Sequence, residues 1–230
     1  MRNITYIITA TTKNYLFMNK TSKDTLKEPT SLRQASILLA ATKVFEMHGY
    51  SATTMDAVAA EANVAKGSLY NYFPSKQKLF EAVFDASFTE DEAVIDALVA
   101  APISAVEKIG LYVDHWFSRL EHCKKIGGLI LEFWAHATRA QAGDETAIFQ
   151  EVHNRWHNRI RDIIHQGIAD GDFRDEIDAN NAAIMVLAMI DGMTIHAIMN
   201  AGIKIDANLS NKIKLGLLTS LGSSKNVKDL

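Results

Sequence analysis

Residues 66 to 76, KGSLYNYFPSK, concentrate side chains that can bind phosphates and base edges. Lys66 offers a positive charge, Gly67 allows a backbone to come close to DNA, and the Ser68 hydroxyl can meet a base edge or a phosphate. Asn71 is the best candidate for base readout. The segment therefore indicates nucleic-acid recognition, a function that needs no covalent chemistry.

Neighbouring residues can add contacts to the phosphate backbone. The hydroxyls of Tyr70 and Tyr72 can bind phosphate, while Thr54 and Lys76 stand where two helices are expected to start and where backbone amides attract anions. Arg33 offers either a further phosphate contact or a solvated surface charge. Three apolar residues of the same stretch are expected in the core of a small helical domain, namely Leu69, Phe73 and Leu79.

These side chains need helices to position them, and the apolar pattern predicts them. From Ser31 onward apolar residues recur at three- and four-residue spacing without a sustained period of two, which predicts an all-α protein. A first helix over 32–48 is expected to end at Gly49, which tolerates left-handed backbone. A second helix is expected to begin with Thr53, paired with Asp56 as in a capping box.

A tight turn then leads into the helix that carries the polar segment. Asn63 stands where this turn requires a positive φ, and Val64 fills the angle between the two helices. The third helix spans about 66–72 and is stopped by Phe73 and Pro74, because proline disfavours helical backbone in the residue before it.

A long fourth helix is expected to start near Ser75, and five more helices are predicted towards the C-terminus. The third of these five is expected to end at Gly171. Their approximate ranges are 103–121, 126–141, 145–170, 177–200 and 207–221.

Residues 31 to 80 resemble, over their whole length, the DNA-binding domain of the TetR family of bacterial repressors. The resemblance is carried by the helix end from Phe45 to Tyr50, by Thr53 and Thr54, by the turn and helix from Val64 to Leu69, and by Tyr70 to Lys76. It implies a helix-turn-helix whose short third helix enters the major groove of double-stranded DNA. Three residues depart from the family pattern, namely Asn63, Ala65 and Tyr72.

The resemblance also implies a division of the chain. Residues 31–80 would form the DNA-binding domain and 81–222 a helical effector-binding and dimerisation domain, followed by a tail over 223–230. Residues 1–30 mix Thr, Lys and Asn without sustained periodicity and end at Pro29, which predicts a largely unstructured extension. The segments GLILEFWAHATR, GIADGDFR and AMIDGM are similar to the ligand domains of repressors in the choline-responsive repressor's branch.

The last two helices are apolar around most of their circumference. This pattern favours pairing with a second copy, so that a homodimer binds a near-palindromic operator, although central helices of a monomer have the same pattern.

The larger domain holds aromatic and polar residues that can line a pocket for a small-molecule effector. Aromatic faces together with a carboxylate suit a cationic ligand, although aromatic residues at helical spacing equally suit a core. The candidates are Trp116, Phe117, Glu132, Phe133, Trp134, His136, Trp156 and Asp191.

Two pairs of metal-ligating residues leave an enzymatic alternative open. His153 and His157 lie four residues apart, as do Glu132 and His136, and together they could hold zinc or iron. A di-iron bundle has its Glu and His three residues apart, however, and a metalloenzyme leaves the N-terminal resemblance unexplained.

The favoured hypothesis, a DNA-binding repressor released by an effector, has no catalytic residue, metal or cofactor. An effector-independent, DNA-bound interaction protein is a further alternative.

Composition and charge fit a globular protein with a DNA-binding part. Residues 1–85 hold ten Lys and Arg against seven Asp and Glu, a net +3, so the remainder carries −6.

The single cysteine, Cys123, fits a reducing cytoplasm, and the opening residues do not fit a secretory signal. The apolar stretch Ala182–Met199 contains Asp191 and His196, which indicates a buried helix rather than a membrane span.

Overall fold

The computed structural model describes residues 30–139, 144–202 and 204–223, which form ten helices and no strand. The helices are α1 Thr30–Ala52, α2 Met55–Glu61, α3 Lys66–Tyr72, α4 Lys76–Ala86, α5 Thr89–Ala100, α6 Ala105–Lys125, α7 Gly127–Arg139, α8 Asp144–Ala169, α9 Ala179–Ile198 and α10 Ala207–Ser220. The predicted all-α class is confirmed. The predictions for the N-terminal extension and the C-terminal tail fall almost wholly outside the described residues.

The first three helices, which we call the head, pack on one another through apolar residues of a core that continues into the rest of the chain. Ile37 and Phe45 of α1, Val58 of α2 and Leu69 of α3 are almost fully buried. Asn63 has a φ of 52°, which confirms the turn predicted between α2 and α3. The head therefore has the helix-turn-helix arrangement expected from the sequence.

Two predicted helix ends are confirmed. α3 spans Lys66–Tyr72, and Phe73 leaves helical backbone with φ −133° and ψ 102°, as expected for the residue before Pro74. In α1 the helical backbone is interrupted at Gly49, whose φ is 72°, and one further turn continues to Ala52.

The start of α2 differs from the prediction by one residue. Thr54, rather than Thr53, is the N-cap, because its hydroxyl accepts a hydrogen bond from the Ala57 N–H at 3.2 Å. Thr53 is buried, and its hydroxyl donates to the Gly49 carbonyl at 2.7 Å. Since Thr53 closes the end of α1, the next residue caps α2.

The long helix expected from Ser75 is broken into α4 and α5. At the break the Ser87 hydroxyl donates to the Val83 carbonyl at 2.8 Å. The Phe88 ring packs edge-on against the Trp156 ring, with centroids 6.4 Å apart. Packing of this half-buried aromatic ring against α8 accounts for the bend.

Helices α5 to α10, which we call the body, form a bundle in which α6 lies centrally and packs against α8, α9 and α10. Gly171, predicted to end α8, has a φ of 72°. Ion pairs tie α8 to α4 and α5, between Arg155 and both Asp85 and Glu92, and between Arg159 and Asp96.

Candidate DNA-binding surface and effector cavity

α3 presents the predicted base-reading residues to solvent. Lys66, Gly67 and Asn71 are exposed, Tyr70 exposes 41% of its surface, and Ser68 is half-buried. A Cβ at position 67 would meet no atom within 4 Å, so packing within the chain does not require glycine there. Because glycine weakens a helix, its presence is consistent with the predicted close approach of this backbone to DNA.

Lys66 forms an ion pair between the starts of two helices. Its ammonium lies 2.7 Å from the carboxylate of Asp56, in the first turn of α2, and both side chains are exposed. The hydrogen bond from Lys66 to Asp56, with the attraction between their charges, raises the pKa of Lys66. The pair brings the start of α3 beside the start of α2, where Thr54 lies.

The other predicted phosphate contacts lie in different surroundings. Thr54 is exposed, with its hydroxyl engaged as the cap of α2, and Arg33 is exposed near the start of α1. Tyr72 is half-buried against the core of the head. The contacts of these three residues with phosphate stay predictions.

Lys76 is placed differently from its predicted role as a phosphate contact. Its ammonium donates to the carbonyls of Tyr50, Ser51 and Thr53 at 2.8, 3.2 and 3.0 Å, and it lies 4.5 Å from the centre of the Tyr50 ring. Carbonyls at the end of a helix attract a cation, and these lie in the last turn of α1 and directly after it. The side chain therefore fastens α4 to α1, whereas a contact through the first amides of α4 stays a prediction.

The body contains a partly open cavity of about 90 Å³. All three tryptophans of the chain line it, together with polar side chains that include Tyr112, His153 and Thr194. An engineered apolar cavity of about 150 Å³ holds benzene. In this conformation the cavity therefore admits only a compact group.

Four of the eight predicted pocket residues line this cavity, namely Trp116, Trp134, Trp156 and Asp191. Their contact with an effector stays a prediction. The side chain of a fifth, His136, lies outside the described part of the chain.

The other three predicted pocket residues lie elsewhere. Phe117 is half-buried against the core, one residue round α6 from the cavity-lining Trp116. Phe133 is buried against Phe84 of α4, with parallel rings and centroids 3.5 Å apart. The Glu132 carboxylate faces the head and accepts the Tyr50 N–H at 2.6 Å. Helical spacing alone did not indicate which face of α7 meets the cavity.

Sequence reasoning named Trp116 for its aromatic ring but missed Tyr112 and the polar group that each of these residues brings to the cavity. The Tyr112 hydroxyl and the Trp116 indole nitrogen are buried, and neither meets hydrogen-bond geometry with another described residue. Burial raises the pKa of the Tyr112 phenol well above its ordinary value, and the nearby Trp116 indole offsets part of this rise. Because unpartnered buried polar groups are costly, the cavity favours a ligand with a hydrogen-bond acceptor. The four-residue spacing of Tyr112 and Trp116 was the available signal.

Asp191 lies at the mouth of the cavity. The residue as a whole is exposed, while burial of its carboxyl group against the cavity raises its pKa and the nearby His153 offsets part of that rise. Among the described residues no hydrogen bond or ion pair holds this carboxylate. A charge so placed suits a cationic ligand.

We expect Asp191→Asn to raise the melting temperature at about pH 7 and to lose this advantage in acid. In the folded protein the pKa of Asp191 lies above its unfolded value of about 3.9. Ionisation of this carboxyl group at neutral pH therefore lowers stability, and its protonation below the folded pKa removes that penalty. Thermal unfolding from about pH 7.5 down to about pH 4 measures the difference between variant and wild type.

Asp206 provides the opposite control. Hydrogen bonds from the Leu209 backbone N–H and from Lys204 lower the pKa of Asp206, so Asp206→Ala is expected to lower the melting temperature at neutral pH and to matter less in acid. Equal melting temperatures of Asp191→Asn and wild type at every pH would contradict the burial of the Asp191 charge.

The histidines weighed as metal ligands lie on one side of α8. The rings of His153 and His157 are nearly parallel, with centroids 6.5 Å apart, and His157 Nε2 lies 3.2 Å from the Asn180 carbonyl. Within the described residues no three metal-ligating side chains converge.

α9 is buried on one side and exposes large apolar side chains on the other. By length and composition it could cross a membrane, with a mean hydropathy of 1.5, and 39% of its most apolar stretch is buried. The predicted buried helix is thus buried on one side only. α9 and α10 both pack against α6. We call the large apolar side chains that they expose the α9–α10 face, which comprises Ile184, Met185 and Ile195 of α9, Met199 directly after it, and Leu215 of α10.

Two family models match the two parts of the chain. Residues 37–83 match bacterial regulatory proteins of the tetR family, and residues 105–208 match the C-terminal part of a BetI-type transcriptional repressor. The repressor KstR2 of Mycolicibacterium smegmatis is 31% identical over 163 residues, or 68% of this chain and 75% of that protein. The regulator YhgD of Bacillus subtilis is 34% identical over 139 residues, or 60% and 69%.

Solved structures share the fold. FadR from Bacillus subtilis in complex with stearoyl-CoA aligns with a TM-score of 0.67 and 23% identity, covering 80% of this chain and 97% of that one. The SmeT–triclosan complex aligns with a TM-score of 0.65 and 19% identity, covering 80% and 90%. At these identities the likeness concerns the fold and not the ligand.

Proposed function

Because the chain belongs to the TetR family of DNA-binding transcriptional repressors, with a BetI-type C-terminal domain, we propose that it is a cytoplasmic homodimer released from its operator by a compact effector. The operator is a near-palindromic duplex, bound through α2 and α3, and the effector enters the cavity lined by the three tryptophans. The protein acts through binding and conformational change rather than catalysis.

The observation that carries this proposal is the division of α3 into a buried and an exposed side. Leu69 is fully buried and fixes the helix on the head, while Tyr70 and Asn71 are exposed. In the major groove Asn71 reads a base and Ser68 meets a base edge or a phosphate. Lys66, Tyr70 and Thr54 contact phosphates, which position the helix without reading sequence.

Dimerisation joins the α9–α10 faces of two copies. One chain leaves Ile184 and Met185 each half exposed, and pairing two such faces about a twofold axis removes this apolar surface from water. The two recognition helices then stand roughly 34–36 Å apart or more, so each reads one half of an inverted repeat.

The effector is a compact organic cation that also offers a hydrogen-bond acceptor. Its charge lies against the tryptophan rings and Asp191, and its acceptor meets the Tyr112 hydroxyl or the Trp116 indole. The cavity volume of about 90 Å³ favours a small ligand in this conformation over a long acyl chain. Release from DNA follows because the effector binds more tightly to a dimer whose heads no longer match the half-sites.

Selection of random duplex DNA on the purified protein, at about 150 mM salt to weaken nonspecific phosphate attraction, tests the proposed function. We expect an enriched inverted repeat. No enrichment on folded, dimeric protein would overturn it.

The selected duplex then serves to screen effectors. Small quaternary and protonated amines are expected to weaken its binding to wild type, and to do so less with Asp191→Asn, since that variant lacks the carboxylate. Enrichment of a repeat together with failure of every cation would retain the DNA-binding regulator and reject the cationic effector.

A further inference from the structure

We propose that Glu132 sets the angle of the head on the body, and thereby the half-site spacing that the dimer accepts. This inference rests on the proposed function, because spacing has meaning only for a dimer on an inverted repeat. Glu132 is a positioning residue that acts on DNA through the orientation of α1 and α4.

The first ground is the contact itself. A Glu132 carboxylate oxygen accepts the Tyr50 N–H at 2.6 Å, across 82 positions of sequence and from the body to the head. Hydrogen bonds to a carboxylate are shorter and stronger than those between neutral groups. This contact therefore holds the last turn of α1 against α7.

The second ground is the backbone at the contact. Gly49 has a φ of 72°, and a Cβ built there would lie 3.1 Å from the other Glu132 oxygen. Glycine thus provides both the left-handed conformation and the space that the carboxylate occupies. The chain is shaped at this point to receive the side chain of Glu132.

The third ground is what Tyr50 holds in turn. Its carbonyl accepts a hydrogen bond from Lys76 in the first turn of α4, and its ring packs against Phe80 of the same helix, with centroids 4.6 Å apart. α4 directly follows α3 and the short Phe73–Ser75 connection. A change in the position of the Tyr50 amide therefore also displaces α4, the helix that directly follows the recognition helix α3.

The fourth ground is the position of Glu132 on α7. Ile130 and Trp134 line the effector cavity and lie four residues apart on one side of this helix. Glu132 stands midway between them and so projects from the opposite side. α7 thus has the cavity on one side and the head on the other.

The test uses the inverted repeat selected by wild-type protein, with further probes whose centre is longer or shorter by one base pair. Full-length wild type, Glu132→Ala and Glu132→Gln are compared by binding titration. We expect wild type to prefer its own spacing about tenfold and Glu132→Ala to prefer it less than about threefold. Glu132→Gln should be intermediate, because its amide oxygen still accepts the Tyr50 N–H.

Glu121→Ala is the matched control. Glu121 is an exposed acid of the body that pairs with Lys124, and its removal is expected to leave the spacing preference at the wild-type value. A variant that is merely less stable binds every probe less well by one common factor.

The wild-type spacing preference in Glu132→Ala and Glu132→Gln would overturn the inference, whether or not affinity falls uniformly. Failure of wild type to select any inverted repeat would instead reject the proposed function beneath it. The two failures are therefore distinguishable.

Discussion

Ile195→Glu is expected to separate the dimer and to weaken operator binding by at least about a hundredfold. Ile195 exposes 39% of its surface on the α9–α10 face, so glutamate at this position remains solvated in one chain and does not prevent folding. In a twofold dimer, pairing these faces would bury an unpaired charge from each subunit, which costs several kcal/mol. Without the dimer, the second head no longer binds at the high effective concentration that its linkage to the first provides.

Sedimentation or light scattering measures the mass, circular dichroism the helix content, and titration of the selected operator the affinity. Leu39→Glu is the control, because it replaces another large exposed apolar side chain, 70% exposed, on α1. It is expected to remain a dimer. Dimers of Ile195→Glu with unchanged operator affinity would show that another surface joins the subunits.

Local rules predicted the head well because its key residues act through their own backbone preferences. Asn63 tolerates the positive φ of a tight turn, Pro74 restricts the residue before it, and Gly49 permits a left-handed interruption. Each rule involves only neighbours in sequence. The turn between α2 and α3, the end of α3 and the interruption of α1 could therefore be located before any tertiary contact was known.

Local rules failed where a distant partner decides the outcome. A side chain of the body can bind a group that lies far away in sequence. Glu132, for example, accepts the Tyr50 N–H instead of facing the cavity. The aromatic ring of Phe88 bends a helix that its local sequence would continue. Four cavity residues were still identified. Their residue types, three tryptophans and the acidic Asp191, suggest a pocket even when it is not known which face of each helix points inward.

The two lysines of the recognition segment show the same limit. Lys66 and Lys76 were both predicted to bind DNA, Lys66 through its charge and Lys76 because it begins a helix. The structure gives Lys66 an exposed ion pair with Asp56, and gives Lys76 three backbone carbonyls at the end of α1. The two lysines differ because the end of α1 packs against the start of α4, which no local pattern in the sequence indicates. Substitution of the two lysines is therefore expected to have opposite consequences.

Lys76→Met is expected to lower the free energy of unfolding by about 2–3 kcal/mol. A hydrogen bond from a charged donor contributes about 1.5–3 kcal/mol, and the single Lys76 ammonium divides its interaction among three carbonyls. For a chain of this length the melting temperature then falls by roughly 5–10 °C. Thermal unfolding by circular dichroism measures it. The salt dependence of operator binding is expected to keep its wild-type slope, since the ammonium faces the protein.

Lys66→Met is expected to do the reverse. Its exposed ion pair contributes little to stability, so the melting temperature should hardly change, while loss of one phosphate contact per subunit should reduce the slope of log affinity against log salt by about 2 in the dimer. An unchanged melting temperature and a reduced slope in Lys76→Met would instead make Lys76 a phosphate ligand. The pair of measurements thus separates a lysine that builds the DNA-binding surface from one that touches DNA.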